Sequence, residues 1–182
     1  MLSNVFNEMA YGGPMLWWLY PRFKPFIDGR GDAYTVEFWK TQYLPALHGD
    51  PGWQDIFRKY DVHAALLPIR TPGEVPKLAR ILFGNPHWAL VAYNDDTLFF
   101  LERTATNQSV IAKHAYGLVW PGDWTFAAWD QPSTRKAAAD EIVRAMTLSP
   151  DSVFARTAMS RILMGTERFA EAFAKAKPDL LF

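Results

Sequence analysis

The sequence predicts an α/β fold in which a mostly parallel five-stranded sheet ends in an antiparallel hairpin and is followed by a three-helix tail. Short apolar runs alternate with helical patterns through the first two-thirds of the chain, and a helical crossover between neighbouring strands makes them parallel. Four turn-forming residues at 94–97 separate the last two apolar runs, which is typical of a hairpin. The final third carries helical spacing without a strand-like run, and this predicts the tail.

Five short apolar runs are predicted as strands, because turn-forming residues or helical patterns bound each of them. We expect the second run to lie inside the sheet, since it is apolar and has a helical crossover on either side. The predicted strands cover residues 5–6, 25–27, 64–67, 88–93 and 98–101.

Four helices are predicted between the strands, from apolar residues that recur at helical spacing. Gly12 and Gly13 are expected to form a tight turn into the first of them, with Pro14 in its first turn. The predicted helices cover residues 11–20, 33–47, 53–60 and 75–83.

Three helices are predicted in the tail. Ser133 is the expected N-cap of the first, residues 149–152 are expected to form a break and the cap of the second, and apolar spacing over 169–176 predicts the third. The last two resemble one tetratricopeptide-type helix pair; an ordinary helical hairpin packed on the sheet is the alternative.

A tryptophan-rich connector precedes the tail. Trp120, Trp124 and Trp129 lie in a stretch with weak periodicity, and we expect them to anchor it by packing. The sequence therefore divides into an α/β domain, a connector and a helical tail, which cover residues 1–103, 104–131 and 132–182.

Composition excludes several classes of function. The chain has 19 Lys and Arg against 19 Asp and Glu, and this zero net charge argues against a nucleic-acid-binding protein. The chain has no Cys, which excludes disulfides and thiolate metal ligands. The four histidines lack metal-ligand spacing, and no dinucleotide, phosphate-loop or nucleophile-elbow motif occurs. We therefore predict no metal site, no cofactor and no catalytic residue.

Asp28 and Arg30 are the sharpest local feature. They follow a predicted strand, at the end of a sheet where α/β proteins bind ligands. With Asn7 and Tyr34 they form our candidate ligand-binding set for a sugar hydroxyl or a phosphate. The alternative is structural, with a turn at Asp28 and an ion pair from Arg30 to a nearby carboxylate or directly to Asp28.

Several short segments of the sequence occur together in one known family. They are residues 4–7 followed by Gly12 and Gly13, then 20–21, 26–30 with Tyr34, 51–53, 60–68 and 87–96. Their order over residues 3–103 resembles the soluble C-terminal region of bacterial multi-pass membrane proteins that look like lipid-sugar-dependent glycosyltransferases of the C superfamily. The resemblance implies an extracytoplasmic, periplasmic location and a helical tail. It carries over no catalytic residue, because the family's catalytic carboxylates lie in loops of the membrane part.

The resemblance favours a non-catalytic accessory domain of a membrane glycosyltransferase-like protein, contributing glycan or protein contacts. Its expected partners are the membrane-embedded part of the same or a neighbouring protein and a glycan or lipid-linked sugar. A small sugar- or nucleotide-processing enzyme that uses Asp28 and Arg30 is one alternative. A stand-alone protein-interaction module that uses the helical tail is another.

Overall fold

A mixed five-stranded sheet lies at the centre of the protein. The computed structural model describes residues 3–71, 74–125, 131–166 and 168. The strand order across the sheet is β2-β1-β3-β5-β4. The strands are β1 (Ser3–Asn7), β2 (Phe23–Pro25), β3 (Val62–Pro68), β4 (Trp88–Tyr93) and β5 (Thr97–Glu102).

The prediction of a mostly parallel sheet is wrong. β1 is parallel to β2 and β3, whereas β3 pairs with β5, and β5 with β4, in antiparallel fashion. The helical crossover from β3 to β4 does give these two strands the same direction. However, β5 turns back after β4 and lies between them, so the hairpin replaces a parallel pair with two antiparallel pairs.

The second strand is also placed differently from the prediction. β2 lies at the edge of the sheet, and its Pro25 is opposite Val5 of β1. Proline lacks a backbone N–H and is therefore found on edge strands. The apolar residues of this segment are explained by packing after the strand has ended, where Phe26 contacts the rings of Phe6 and Phe38.

Seven helices surround the sheet in the described parts of the chain. The second, α2, is one continuous helical segment with a π-helical turn in its middle, and consists of Val36–Phe38, Trp39–Tyr43 and Leu44–His48. The others are α1 (Met9–Leu19), α3 (Trp53–Lys59), α4 (Lys77–Gly84), α5 (Gln108–His114), α6 (Arg135–Leu148) and α7 (Val153–Met164).

The helical tail departs from the three-helix prediction. Its described part holds two helices, α6 and α7, and the helix predicted over 169–176 lies outside the described residues. The connector contains α5, which the sequence did not predict. Thr134 rather than Ser133 is the residue before α6. The cap predicted within 149–152 is confirmed and is Ser152, whose hydroxyl accepts a hydrogen bond from Ala155 N.

The two faces of the sheet carry two apolar cores. Alternation along β1 sends Phe6 to the larger core and Val5 to the smaller one. The larger core lies under α2, α3, α4 and the tail helices, and includes Ile142 and Phe154 from the tail. The smaller core lies under α1 and α5, which contribute residues such as Met15. The described tail helices therefore share one core with the sheet.

Polar contacts also hold the tail and the connector to the sheet. The carboxylate of Asp95, at the tip of the β4–β5 hairpin, accepts hydrogen bonds from Ser152 Oγ at 2.8 Å, Val153 N at 2.6 Å and Phe154 N at 3.1 Å. The hairpin tip thus caps the N-terminus of α7, where a negative charge is stabilised by the helix dipole. Glu141 of α6 accepts from backbone N–H groups of the connector.

The connector tryptophans pack as expected where the structure describes them. Trp120 stacks on Phe83 with ring centroids 4.6 Å apart, and Trp124 contacts the Phe154 ring at 5.3 Å. Trp129 lies outside the described residues. The first two therefore anchor the connector to the larger core.

Candidate functional site

Asn7 joins the end of β1 to the segment that follows β2. Its side chain is fully buried. Its Nδ2 donates to Ile27 O and Glu8 O, both at 2.8 Å, while its Oδ1 accepts from Phe26 N at 2.8 Å. The amide therefore continues the pairing of β1 with the next segment after the strand ladder has ended, which satisfies backbone groups that are otherwise buried without partners.

Asp28 and Arg30 pair directly. Asp28 Oδ1 accepts from the backbone N and from Nε of Arg30, both at 2.9 Å, and Oδ2 accepts from Nη2 at 2.6 Å. The Asp28 side chain is 5% exposed and lies just under the surface, since the Arg30 side chain that covers it is 73% exposed. The hydrogen bonds from Arg30 lower the pKa of Asp28 to about 2, against the opposing effect of burial.

Tyr34 completes this group from the turn before α2. Its hydroxyl accepts a hydrogen bond from Asp28 N at 3.0 Å, and its ring stacks on Phe38. Burial is the main reason that the pKa of Tyr34 is raised. The Tyr34 hydroxyl therefore adds a second side-chain contact, besides that of Asn7, to the backbone of residues 26–28.

Gly12 allows α1 to approach this segment. A Cβ at Gly12 would lie 2.1 Å from Ile27 O and 2.4 Å from Asp28 Cα, whereas a Cβ at Gly13 would meet nothing within 4 Å. The expected tight turn at these glycines is wrong, because both lie inside α1 (Met9–Leu19). The glycine at 12 is required by close packing between helix and backbone.

The four residues of the predicted ligand-binding set therefore meet in one place, which we call the β1–β2 junction: Asn7, Asp28, Arg30 and Tyr34. Their hydrogen bonds go largely to each other and to the backbone. This geometry favours the structural alternative for the Asp28–Arg30 pair. Ligand binding by the four residues stays a prediction.

An open cleft, which the sequence did not indicate, lies at one end of the strands β3, β5 and β4. Its volume is about 610 Å³. It lies beside α3, next to the beginnings of β3 and β4 and the end of β5. Polar side chains form much of its wall: Gln54, Asp55, Arg58, Asp61, His63, Asn85, His87 and Glu102. Trp53, Phe57 and Trp88 also line it and are buried.

His63 lies between two carboxylates in this cleft. Its Nδ1 is 2.5 Å from Glu102 Oε2, and its Nε2 is 2.9 Å from Asp61 Oδ1. The hydrogen bond to Glu102 is the main reason that the pKa of His63 is raised, while burial opposes the change. Its imidazolium form donates to both carboxylates. Any stability that the charged form gives is therefore present at low pH and lost as the pH rises through this raised pKa.

Asp61 reaches His63 because its backbone is left-handed, with φ of 52°. This conformation is uncommon for residues other than glycine, although aspartate tolerates it better than most. It ends the turn between α3 and β3.

The wall of the cleft is largely polar and charged. In its imidazolium form, both nitrogens of His63 carry a proton that is donated to a carboxylate, so this form has no lone pair with which to act as a general base. In the described part of the chain, no group of three or more His, Cys, Asp or Glu residues is arranged to hold a metal ion. Exposed side chains such as Gln54 and His87 remain available to a ligand.

Comparisons of the chain with protein-family models, curated proteins and solved structures find no match. Among the described residues, no helix is both long enough and apolar enough to span a bilayer.

Proposed function

We propose that the chain is a non-catalytic accessory domain of a membrane glycosyltransferase-like protein, and that its open polar cleft contacts a glycan. The observation that carries the proposal is the cleft of about 610 Å³ with His63 fixed between Glu102 and Asp61. Sugar hydroxyls both donate and accept hydrogen bonds, so a surface that offers carboxylates, amides and an imidazolium next to each other matches them.

The non-catalytic part of the proposal is supported by the hydrogen bonds that His63 and Asp28 make within the protein. Acid–base catalysis requires a group whose proton can be exchanged with the substrate. His63 is bonded on both sides, and Asp28 is bonded to Arg30. The rival hypothesis of a sugar- or nucleotide-processing enzyme requires Asp28 and Arg30 to be free for the substrate, and their mutual pairing argues against it.

The resemblance of residues 3–103 supports the remaining parts of the proposal. On that basis we propose an extracytoplasmic location and, as a partner, the membrane-embedded part of the same or a neighbouring protein. The glycan contacted by the cleft is then the sugar part of a lipid-linked donor or of its product.

The cleft is tested by glycan-array binding of the full chain, followed by calorimetric titration of each bound oligosaccharide. Gln54→Ala and His87→Ala change exposed cleft side chains, and each is expected to weaken binding by about fivefold, the effect of one hydrogen bond. Gln108→Ala and His48→Ala are matched controls, because both residues are exposed and neither lines the cleft.

Absence of glycan binding at millimolar oligosaccharide, or equal weakening by the control variants, would refute the glycan contact. Mass spectrometry of the bound oligosaccharide after incubation tests the other half of the proposal. A shortened or extended product would show that the domain is an enzyme.

A further inference from the structure

The C-terminal end of α1 exposes four consecutive large side chains, which we call the aromatic edge. Trp17 is 80% exposed, Trp18 77%, Leu19 41% and Tyr20 61%. Single exposed apolar residues are ordinary on protein surfaces, but a contiguous group with two protruding indoles marks a surface that contacts something else.

The packing of α1 explains why these rings point outward. Gly12 and Met15 occupy the inner face of the helix and are buried. Because Gly12 brings the helix against the backbone of Ile27 and Asp28, no space for an indole remains on that side. Trp17 lies on the opposite face, together with the exposed Gly13 and Pro14, in keeping with helical spacing. Trp18 lies at the side of the helix and is exposed as well.

An apolar groove continues the aromatic edge. Its volume is about 350 Å³, and Leu19 belongs both to the edge and to the groove. Only apolar side chains line it: Val5, Met15, Leu19, Phe23, Leu66, Ala92 and Phe99. The exposed rings and the groove therefore form one apolar surface on the side of the sheet that carries the smaller core.

Two cations follow the aromatic edge directly. Residues 9–21 contain no charged side chain, and Arg22 and Lys24 come next and are exposed. Glu8, the nearest acidic residue before this stretch, lies at the other end of α1 and faces Arg70 at 3.9 Å. The aromatic edge with Arg22 and Lys24 is therefore an apolar surface with a local positive charge, although the net charge of the whole chain is zero.

We propose that the aromatic edge, with Arg22 and Lys24, docks on the interface of a lipid bilayer that contains anionic lipid. Trp and Tyr favour the headgroup region of a bilayer, where the ring is in an apolar phase and its polar atom meets water. Arg and Lys beside them reach anionic headgroups, and each adds to the attraction. This proposal depends only on the exposed surface and does not require the glycan cleft.

Two features favour lipid over a protein surface. Indoles that protrude from a helix end fit a soft phase that deforms around them, whereas protein hot spots lie in well-packed, complementary pockets. A two-fold contact with a second copy would bring Arg22 and Lys24 of both chains close together, and their repulsion would oppose it.

The test is binding of the full chain to sedimented vesicles made of equal parts of phosphatidylcholine and phosphatidylglycerol, compared with phosphatidylcholine alone. Trp17→Ser with Trp18→Ser is expected to weaken binding by at least about tenfold, through loss of buried apolar area. Val143→Ser with Leu148→Ser, exposed positions on α6, is the matched control and is expected to leave binding unchanged.

The charge contribution is tested with Arg22→Gln combined with Lys24→Gln. We expect about 25-fold weaker binding to the anionic vesicles and little change on phosphatidylcholine, because each cation near such a surface contributes about a fivefold effect. Brominated lipid should quench tryptophan fluorescence of the wild type and of the α6 control, but much less that of the Trp17 and Trp18 variant. Circular dichroism checks that every variant is folded.

Three results would overturn the proposal. One is wild-type protein that stays in the supernatant with anionic vesicles. Another is a folded Trp17 and Trp18 variant that binds as tightly as the wild type. The third is a wild-type dimer in sedimentation velocity that this variant converts to a monomer without any lipid binding, which would assign the surface to a second copy of the chain.

Discussion

Replacing Gly12 with alanine tests the close approach of α1 to the β1–β2 junction. The added Cβ would lie 2.1 Å from Ile27 O, 2.4 Å from Asp28 Cα and 2.6 Å from Asp28 Cβ. The first two of these atoms are backbone, and Asn7 fixes the same segment through its bond to Ile27 O. The helix or the segment must therefore shift, since no flexible side chain can move aside.

Gly13→Ala is the matched control, because it lies in the same helix and its Cβ would meet nothing within 4 Å. Alanine in place of glycine inside a helix stabilises by about 0.5–1 kcal/mol, and both variants share this gain. Overpacking costs about 1–3 kcal/mol, and only Gly12→Ala incurs it. The two variants should therefore differ in free energy of unfolding by about 1–3 kcal/mol, which corresponds to roughly 2–12 °C in melting temperature for a domain of this size.

The assay is thermal unfolding followed by circular dichroism, with urea unfolding to obtain the free energies. Gly13→Ala should melt at or slightly above the wild-type temperature, and Gly12→Ala should melt roughly 2–12 °C below Gly13→Ala. If Gly12→Ala were as stable as Gly13→Ala, the helix would not lie against Ile27 and Asp28 as described, and the packing argument for the aromatic edge would fail with it.

Three further changes test the other contacts. Asp95→Ala removes the cap of α7 and should lower the free energy of unfolding by about 1–2 kcal/mol in urea, while the exposed neighbour in Asp96→Ala should have little effect. The pKa of Asp28 falls from 3.8 to about 2 on folding, so its ion pair stabilises the protein above about pH 4 and the benefit is lost as the pH falls toward 2. The stability gap between wild type and Asp28→Asn should thus be about 1 kcal/mol at neutral pH, after allowing for solvent screening at the exposed Arg30, and should close in acid-unfolding curves. Trp124→Ala should lower stability by about 1–3 kcal/mol, less than a fully buried ring, and an unchanged melting curve would show that the indole does not anchor the connector.

Local features were predictable where neighbouring residues decide them. The pair of Asp28 and Arg30 is separated by two positions, so a direct contact was among the alternatives that the sequence offered. The N-cap at Ser152 depends on a hydroxyl and an N–H three residues later. The hairpin at 94–97 depends on residues that tolerate turns.

The polar cleft was not predictable in the same way. His63 and Glu102 are 39 positions apart, and they meet because β3 and β5 are neighbours in the sheet. A separation of 39 positions matches no sequence motif for a binding site, so the sequence does not link the two residues. Because β3 and β5 are antiparallel neighbours, the start of β3 with His63 lies beside the end of β5 with Glu102.

The sequence by itself determined the positions of four of the five strands and of most of the helices, because the alternation of apolar residues and the turn-forming residues act over a few positions. The strand predicted at 25–27 is instead β2 at Phe23–Pro25. Tertiary packing decided which strands became neighbours, since the hairpin inserted β5 where a parallel pair was expected. It also decided that Gly12 serves close packing rather than a turn, and that Trp17 and Trp18 face outward. These outcomes depend on how closely elements that are distant in sequence pack against each other, and a local pattern of residues does not determine that distance.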